Sequence, residues 1–308
     1  MSERRAPVPP LLVLAFGILA VSTASVFIRN AQQYAPSLVI AAYRLTLASL
    51  FLLPIAVTRR SQELGTLTRS ELSLALLSGG FLAVHFATWI SSLEYTSVTS
   101  SVVLVTTTPL WVALLSPWTI KEPLTKAILI GLVLAMVGSI LIGLSDVCTW
   151  NQSGFACLSA SEFLQRGAFF GDLLALSGAW AAAGYILIGR SLRVKMSLVG
   201  YVFLVYGMAA LVLVGFVLVS KEPFFGYPPQ AYLWFLLLAL IPQLMGHSSF
   251  NWALGYLSAA YVSISLLGEP IGSTILAYIF LHETPGIVEI IGAILILIGI
   301  YIASRKQS

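Results

Sequence analysis

The chain is a succession of apolar runs, each about 20 residues long, the length that a helix needs to cross the hydrocarbon core of a bilayer. Polar, proline or glycine breaks separate the runs. Charged residues make up only 9% of the chain, whereas a soluble domain carries about 25%. We therefore predict an integral membrane protein with no separate soluble domain. The ten predicted spans are 10–28, 36–57, 72–93, 97–120, 126–144, 168–189, 197–219, 230–256, 258–281 and 286–303.

A shift of 161 residues superposes the two halves of the chain. The matched pairs are Gly17/Gly178, Arg29/Arg190, Leu93/Leu254, Tyr95/Tyr256, Pro109/Pro270, Glu122/Glu283, Gly131/Gly292 and Gly138/Gly299. Each half holds five spans, an odd number, so the second half enters the membrane from the opposite side. The predicted fold class is all-α integral membrane, with ten helices in two inverted-topology repeats. The predicted repeats are 1–144 and 167–308, joined by a loop over 145–166.

The distribution of Lys and Arg predicts the orientation. Twelve lie in segments on the side of the N-terminus and three on the other, and cytoplasmic segments carry the positive excess. We expect both termini in the cytoplasm, in a bacterial inner membrane. The 145–166 loop then faces outward, where Cys148 and Cys157 could form a disulfide; two idle thiols are the alternative.

Glu269 and Pro270 lie in the middle of the ninth apolar run. A carboxylate at that depth costs roughly 2.5–3.5 kcal/mol on insertion scales, so a membrane protein rarely keeps one without a use. One interpretation is that Glu269 binds a cationic group or a proton; the other is that it pairs with Arg44 or bonds to a neighbouring helix. Pro270 breaks the helix, as Pro109 does after Thr108 in the first half.

Arg44, His85 and His247 are the other ionisable candidates within spans. Arg44 is the only basic residue deep in a span, which favours a buried partner or an anionic substrate group. Each histidine is either a hydrogen-bonded packing residue or a protonatable group lining a pathway.

Polar and aromatic side chains concentrate on the third, fourth, eighth and ninth spans. They line a substrate site or join helices by hydrogen bonds. The candidates that complete the predicted substrate-binding or coupling set are Trp89, Thr108, Asn251, Trp252 and Ser265. The fifth and tenth spans carry glycines seven apart and are predicted to be scaffold or a subunit interface.

Motifs of hydrolases, metalloproteases and nucleotide-binding enzymes are absent from the sequence. We therefore expect a protein that is not an enzyme and that uses no cofactor or metal.

Two segments of the chain are similar to each other and to a known repeat. The run GEPIGSTILAYIFLHETPGIVEIIGAILILIGIYIA and its counterpart TTTPLWVALLSPWTIKEPLTKAILIGLVLAMVGSILIG resemble the EamA-like repeat of the drug/metabolite transporter superfamily. The resemblance implies ten helices, a cavity between the halves, and alternating access without ATP. The Glu-Pro pair of that family falls on Glu269 and Pro270, and Thr108 replaces the equivalent acid of the first half.

The function predicted is secondary transport of small polar metabolites, amino acids including aromatic ones among them, in the direction of export. A sugar-phosphate or nucleotide-sugar carrier is an alternative, but polyanions favour several deep Lys or Arg, and Arg44 stands alone. A passive channel is a further alternative, which the two proline breaks disfavour. The expected partners are a small-molecule substrate, the bilayer, a proton as coupling ion and a second copy of the chain, without nucleic acid.

Overall fold

The computed structural model describes residues 6–96, 101, 104–151, 154–157, 168–272, 275–276 and 286–305. Apart from one short hairpin, the regular structure of these residues is helical. The first half contains α1 (Pro10–Val21), α2 (Ala24–Gln32), α3 (Ser37–Arg59), α4 (Ser61–Gly65), α5 (Arg69–Tyr95), α6 (Thr108–Thr119) and α7 (Lys126–Val147). The hairpin consists of β1 (Cys148–Asn151) and β2 (Gly154–Cys157).

The second half is also helical. Its helices are α8 (Ala168–Arg193), α9 (Leu198–Ser220), α10 (Pro229–Leu238), a π-helical segment (Ala239–His247), α11 (Ser248–Ala253), α12 (Ala259–Ser265), a 3-10 turn (Leu266–Gly268) and α13 (Ile287–Ser304). Six helical segments of the described chain are long and apolar enough to cross a membrane, and α7 and α13 contribute shorter apolar stretches. The predicted all-α membrane fold is confirmed. The predicted spans 97–120 and 258–281 lie partly outside the described residues.

Hydroxyl side chains fix the starts of several helices. Thr68 accepts a hydrogen bond from the backbone N–H of Glu71, whose side chain bonds back to the N–H of Thr68. Ser197 and Ser258 cap α9 and α12 in a similar way, each accepting from the N–H three residues later. Such caps satisfy N–H groups that have no partner inside the helix.

The glycines of α7 and α13 allow the two helices to touch. A Cβ on Gly131 would lie 2.5 Å from the carbonyl oxygen of Gly299, and one on Gly138 would lie 2.5 Å from that of Gly292. The order of the contacts is reversed along the two helices, so they run antiparallel. Because Gly131 matches Gly292 and Gly138 matches Gly299, the interface maps onto itself when the repeats are exchanged. This reciprocity is what a two-fold axis between inverted repeats requires.

The first span of each half packs against the third span of the other half. Gly17 on α1 contacts Phe250, and its match Gly178 on α8 lies against Trp89, the residue matched with Phe250. The helices α3 and α9, also a matched pair, pack against each other. The two halves therefore interlock, and the space between them is lined by both.

Three predicted segments differ in detail from the structure. The helix predicted over 10–28 extends to Gln32 and is interrupted at Ser22–Thr23. The helix predicted over 230–256 contains the π-helical segment. The loop predicted to begin at residue 145 begins later, because α7 continues to Val147 and leads directly into the hairpin.

Candidate functional site

A cavity of about 80 Å³ lies between the two halves. Six pairs of its lining residues are matched by the 161-residue shift: Val21/Ala182, Ala24/Tyr185, Trp89/Phe250, Val105/Leu266, Thr106/Leu267 and Thr108/Glu269. A cavity built from equivalent positions of both repeats lies on the axis that relates them. It is the place where inverted-repeat transporters bind their substrate and coupling ion.

The structure brings most of the predicted site residues to this cavity. Those that line it are Arg44, His85, Trp89, Thr108, Pro109, His247, Asn251 and Glu269. Two others lie elsewhere. Ser265 is fully buried and donates to the carbonyl oxygen of Tyr261 at 2.9 Å, while Trp252 packs against Tyr256 with ring centroids 4.6 Å apart.

Arg44 is entirely buried. Its Nε donates to Oε1 of Gln243 at 2.8 Å, and its Cζ lies 4.1 Å from the centroid of the Phe86 ring, a cation–π contact. The two terminal amino groups are buried and have no hydrogen-bond partner among the described residues. The guanidinium is thus held by one amide and one aromatic face, and its far edge makes no hydrogen bond to the described residues.

The partner of Arg44 comes from the π-helical segment. This segment contains Pro242, which lacks an N–H and cannot complete a regular α-helical turn. The matched part of α5 is a regular α-helix. The starts of α5 and α10, at Arg69 and Pro229, are 160 residues apart, whereas the chain beyond the segment keeps the 161-residue shift. The wider π-helical turns hold this one additional residue, and Gln243 lies within them. Such segments occur frequently at functional sites.

Glu269 faces the cavity from a broken helix. The 3-10 turn Leu266–Gly268 directly precedes it, and its own carbonyl oxygen accepts a hydrogen bond from Ser22 at 3.1 Å. No ion pair within 4.0 Å joins Glu269 to Arg44 in the part of the chain that the structure describes. The two charged side chains share the cavity without direct contact.

The break in the first half has different chemistry. The helical chain is interrupted at Thr106–Thr107, and Pro109 lies in the first turn of α6. The hydroxyl of Thr108, which matches Glu269, donates to the carbonyl oxygens of Val105 at 2.7 Å and Ala179 at 3.3 Å. The first half therefore contributes a bonded hydroxyl where the second half contributes a carboxyl group.

The two histidines lie side by side. Their ring centroids are 6.5 Å apart, and the His247 ring also contacts Phe86 at 5.2 Å. His85 Nδ1 lies 2.9 Å from the carbonyl oxygen of Gly178, within hydrogen-bond distance. His85 is consequently both a packing residue and part of the cavity wall.

Tyr185 and Phe250 line the cavity but are not among the residues predicted from the sequence. Tyr185 accepts a hydrogen bond from Asn251. It lies seven residues, two helical turns, after Gly178 and therefore on the same face of α8. Phe250 matches Trp89. The helical period and the repeat shift were the signals that could have found both.

Among the residues described, no three His, Cys, Asp or Glu side chains lie close enough together to hold a metal ion. The described lining offers one guanidinium, one carboxyl group and two imidazoles, with hydroxyl, amide and aromatic groups beside them.

An all-helical membrane protein whose two inverted halves enclose a cavity with buried ionisable side chains has the architecture of a membrane transporter. More specifically, the chain belongs to the EamA-like transporter family, whose family model matches residues 9–144 and 169–305, and with it to the drug/metabolite transporter superfamily.

Individual relatives agree with this assignment. An uncharacterized transporter of Archaeoglobus fulgidus is 25% identical over 305 residues, covering 96% of this chain and 97% of the relative. The uncharacterized transporter YyaM of Bacillus subtilis is 23% identical over 306 residues, covering 96% and 92%. A solved crystal structure with 17% identity covers 96% of both chains with a TM-score of 0.74, which shows the shared fold.

Proposed function

We propose that this protein is a secondary transporter that exports small polar metabolites across a bacterial inner membrane by alternating access. The observation that carries the proposal is the cavity on the two-fold axis, lined by matched pairs from both repeats and containing Arg44 and Glu269. A site shared by two halves of opposite orientation can open to either side when the halves rock against each other. No enzymatic step is part of this proposal.

The helix breaks supply the flexibility that such a movement needs. Ser22, at the break of the first span, donates to the carbonyl oxygens of Ile18 at 2.7 Å and of Glu269 at 3.1 Å. At the break in the first half, Thr108 bonds in the same way to Ala179 on α8. These hydroxyls satisfy carbonyl groups near the interruptions, so the helix segments can change angle without exposing unpaired backbone groups to lipid.

Glu269 is the proposed coupling group. It is the only Asp or Glu among the described residues that line the cavity. A carboxyl group there can take up a proton from one side of the membrane and release it on the other, or hold the cationic group of a substrate.

The charged side chains that line the cavity favour a transporter of small polar metabolites over a carrier of polyanions. Arg44 is the only Lys or Arg among the described lining residues, so sugar phosphates and nucleotide sugars lack the cations that their charge requires. A passive channel needs a continuous polar path, whereas much of this lining is apolar, including Val21, Leu254 and Val262.

The orientation proposed from the Lys and Arg bias places both termini in the cytoplasm and the β1–β2 hairpin outside. Reporter fusions after Gln307 and within the hairpin should report opposite sides. The same side for both would contradict the ten-span topology.

Counterflow in proteoliposomes tests the transport function. Vesicles loaded with a candidate solute should accumulate the labelled solute transiently against its gradient, because only an alternating-access carrier exchanges in this way. Downhill leakage without accumulation would indicate a channel. Glu269→Gln should lower exchange at least tenfold and flatten its pH dependence. Glu71→Gln is the matched control, because glutamine also serves in the capping box at Thr68 and exchange should persist.

A further inference from the structure

We infer that Arg44 binds the carboxylate group of the transported solute on the edge formed by its two terminal amino groups. The inference rests on the proposed transport function and names the chemical class of the solute, a small organic molecule with one carboxylate. The evidence is the pattern of hydrogen bonds that Arg44 makes and of the donors that it leaves unpaired.

Most N–H donors of Arg44 have no partner among the described residues, whereas an arginine with a purely structural role normally bonds them. Its guanidinium has five N–H donors, of which the described residues engage the one on Nε. Arg193 is also buried, but its Nε donates to the carbonyl oxygen of Asn251 at 2.9 Å and its terminal nitrogen donates to that of Met196. Leaving the N–H donors of a buried charged group without hydrogen-bond partners is strongly destabilising. We therefore expect a ligand to bond the N–H donors of Arg44 that the described residues leave unpaired.

The surroundings of the guanidinium leave one edge for that ligand. Phe86 covers one face, and Gln243 occupies the Nε position. The remaining edge carries two parallel N–H groups, whose spacing matches the two oxygens of a carboxylate. Both terminal amino groups are sealed by protein in this conformation, so a solute reaches them when the halves move apart on one side.

The other groups of the cavity limit the ligand further. One guanidinium neutralises one negative charge, which suits a carboxylate better than a doubly charged phosphate. Trp89 Nε1 and Asn251 Oδ1 are buried without partners among the described residues, which adds one donor and one acceptor to the cavity lining. Glu269 lines the same cavity and can receive an ammonium group if the solute carries one.

The experiment measures the melting temperature of the purified full-length protein with matched sets of solutes. One set is alanine, alaninamide, propionate and propionamide; the second is phenylalanine, phenylalaninamide, 3-phenylpropionate and 3-phenylpropionamide. In each set the carboxylate is replaced by a neutral amide of nearly the same shape, with and without the amino group. We expect carboxylates of at least one set to raise the melting temperature and their amides to do so much less. Comparing the solutes with and without the amino group shows whether the ligand is an amino acid or a simple monocarboxylate.

Substitutions assign the effect to Arg44. Arg44→Gln should weaken the apparent affinity for the carboxylate at least tenfold, and Arg44→Lys should keep the charge but lose part of the two-point binding. Because the substitution removes a buried charge whose terminal amino groups have no partner among the described residues, Arg44→Gln should melt at or above the temperature of the unchanged protein. Arg193→Gln, the matched buried arginine, should do the opposite and lower the melting temperature while the preference for carboxylate over amide persists.

The inference is overturned if the amides stabilise the protein as well as the carboxylates, if neither set shifts the melting temperature, or if Arg44→Gln keeps the preference. Transport itself is judged separately by counterflow. If carboxylates bind at Arg44 but no solute exchanges across vesicles, the binding inference stands and the transport function fails. If amides or amines exchange and carboxylates do not, transport stands and the role of Arg44 fails.

Discussion

The side chain of Arg190 is bonded to that of Glu122, with Nε 2.6 Å from Oε1. The other carboxylate oxygen accepts the backbone N–H of Ala259 at 3.0 Å, and Arg190 also donates to the carbonyl oxygen of Leu254 at 2.8 Å. Glu122 belongs to the first repeat and the other three residues to the second. One carboxylate therefore fastens the segment between α6 and α7 to the end of α8 and the start of α12.

We predict that Glu122→Ala lowers the stability of the protein by about 1.5–3 kcal/mol, the usual range for a hydrogen bond to a charged group. The loss affects Arg190 and the N-terminus of α12 together, because both donate to the same carboxylate. Thermal unfolding of the purified protein in detergent measures it. The control is Arg60→Ala, which removes a more exposed pair with Glu63 at 3.8 Å and should change stability by less than about 1 kcal/mol. Equal effects of the two substitutions would contradict the prediction.

Gly131→Ala should clearly destabilise the protein, although it adds only one methyl group. The added methyl group would meet the carbonyl oxygen of Gly299 at 2.5 Å, and backbone on the facing helix cannot move aside as a flexible side chain can. Gly215→Ala is the control, because nothing lies within 4 Å of a Cβ at that position in α9. We expect a lower melting temperature for the first variant and an equal or higher one for the second. A neutral Gly131→Ala would show that α7 and α13 are not in tight contact.

The Cys148–Cys157 disulfide remains a prediction, and the backbone supports it. The antiparallel strands β1 and β2 place the Cα atoms of the two cysteines directly opposite each other. Opposed residues of antiparallel strands have Cα atoms about 4.5–5.5 Å apart, within the range that a disulfide spans. On the chain-entropy model, closing this short loop contributes about 2–3 kcal/mol to its local stability. Thiol labelling of non-reduced protein should leave both cysteines unmodified, and labelling after reduction should reach both. Labelling of both without reduction would exclude the bond.

Much of the fold could be predicted from the sequence, because the length of an apolar run indicates a membrane-spanning helix and the spacing of small residues indicates where helices pack closely. The glycines at 131, 138, 292 and 299 predicted close packing, and the five spans in each repeat predicted that the two halves are inverted. The π-helical segment could not be predicted, since Pro242 alone does not distinguish a kink from wider turns.

The site was only partly predictable for a related reason. Every residue of α12, Ala259–Ser265, is buried, so this helix has no polar face that would indicate which side lines the cavity. Ser265 was predicted to belong to the site but bonds instead to the backbone of its own helix. Glu269, Arg44 and the histidines were easier to find because ionisable groups are rare at that depth.

Glu222 provides the last prediction, on the pH dependence of stability. It lies in the segment after α9, where burial and, to a smaller degree, the nearby Glu94 raise its pKa above the ordinary value of 4.5. Its Oε2 is buried without a partner among the described residues, while Glu94 accepts from the backbone N–H and hydroxyl of Ser37. The charged form of Glu222 is thus disfavoured in the folded protein.

The sign of the effect follows from the raised pKa. The folded state holds the proton of Glu222 more tightly than the unfolded state, so stability falls as the pH rises from about 4.5 through the raised pKa. Glu222→Gln removes this contribution. The melting temperature of the variant should exceed that of the unchanged protein at pH 7 and 8, and the difference should shrink towards pH 4. Melting curves recorded across this range measure it. A constant difference at all pH values would mean that the substitution acts through packing and that the charge of Glu222 does not oppose folding.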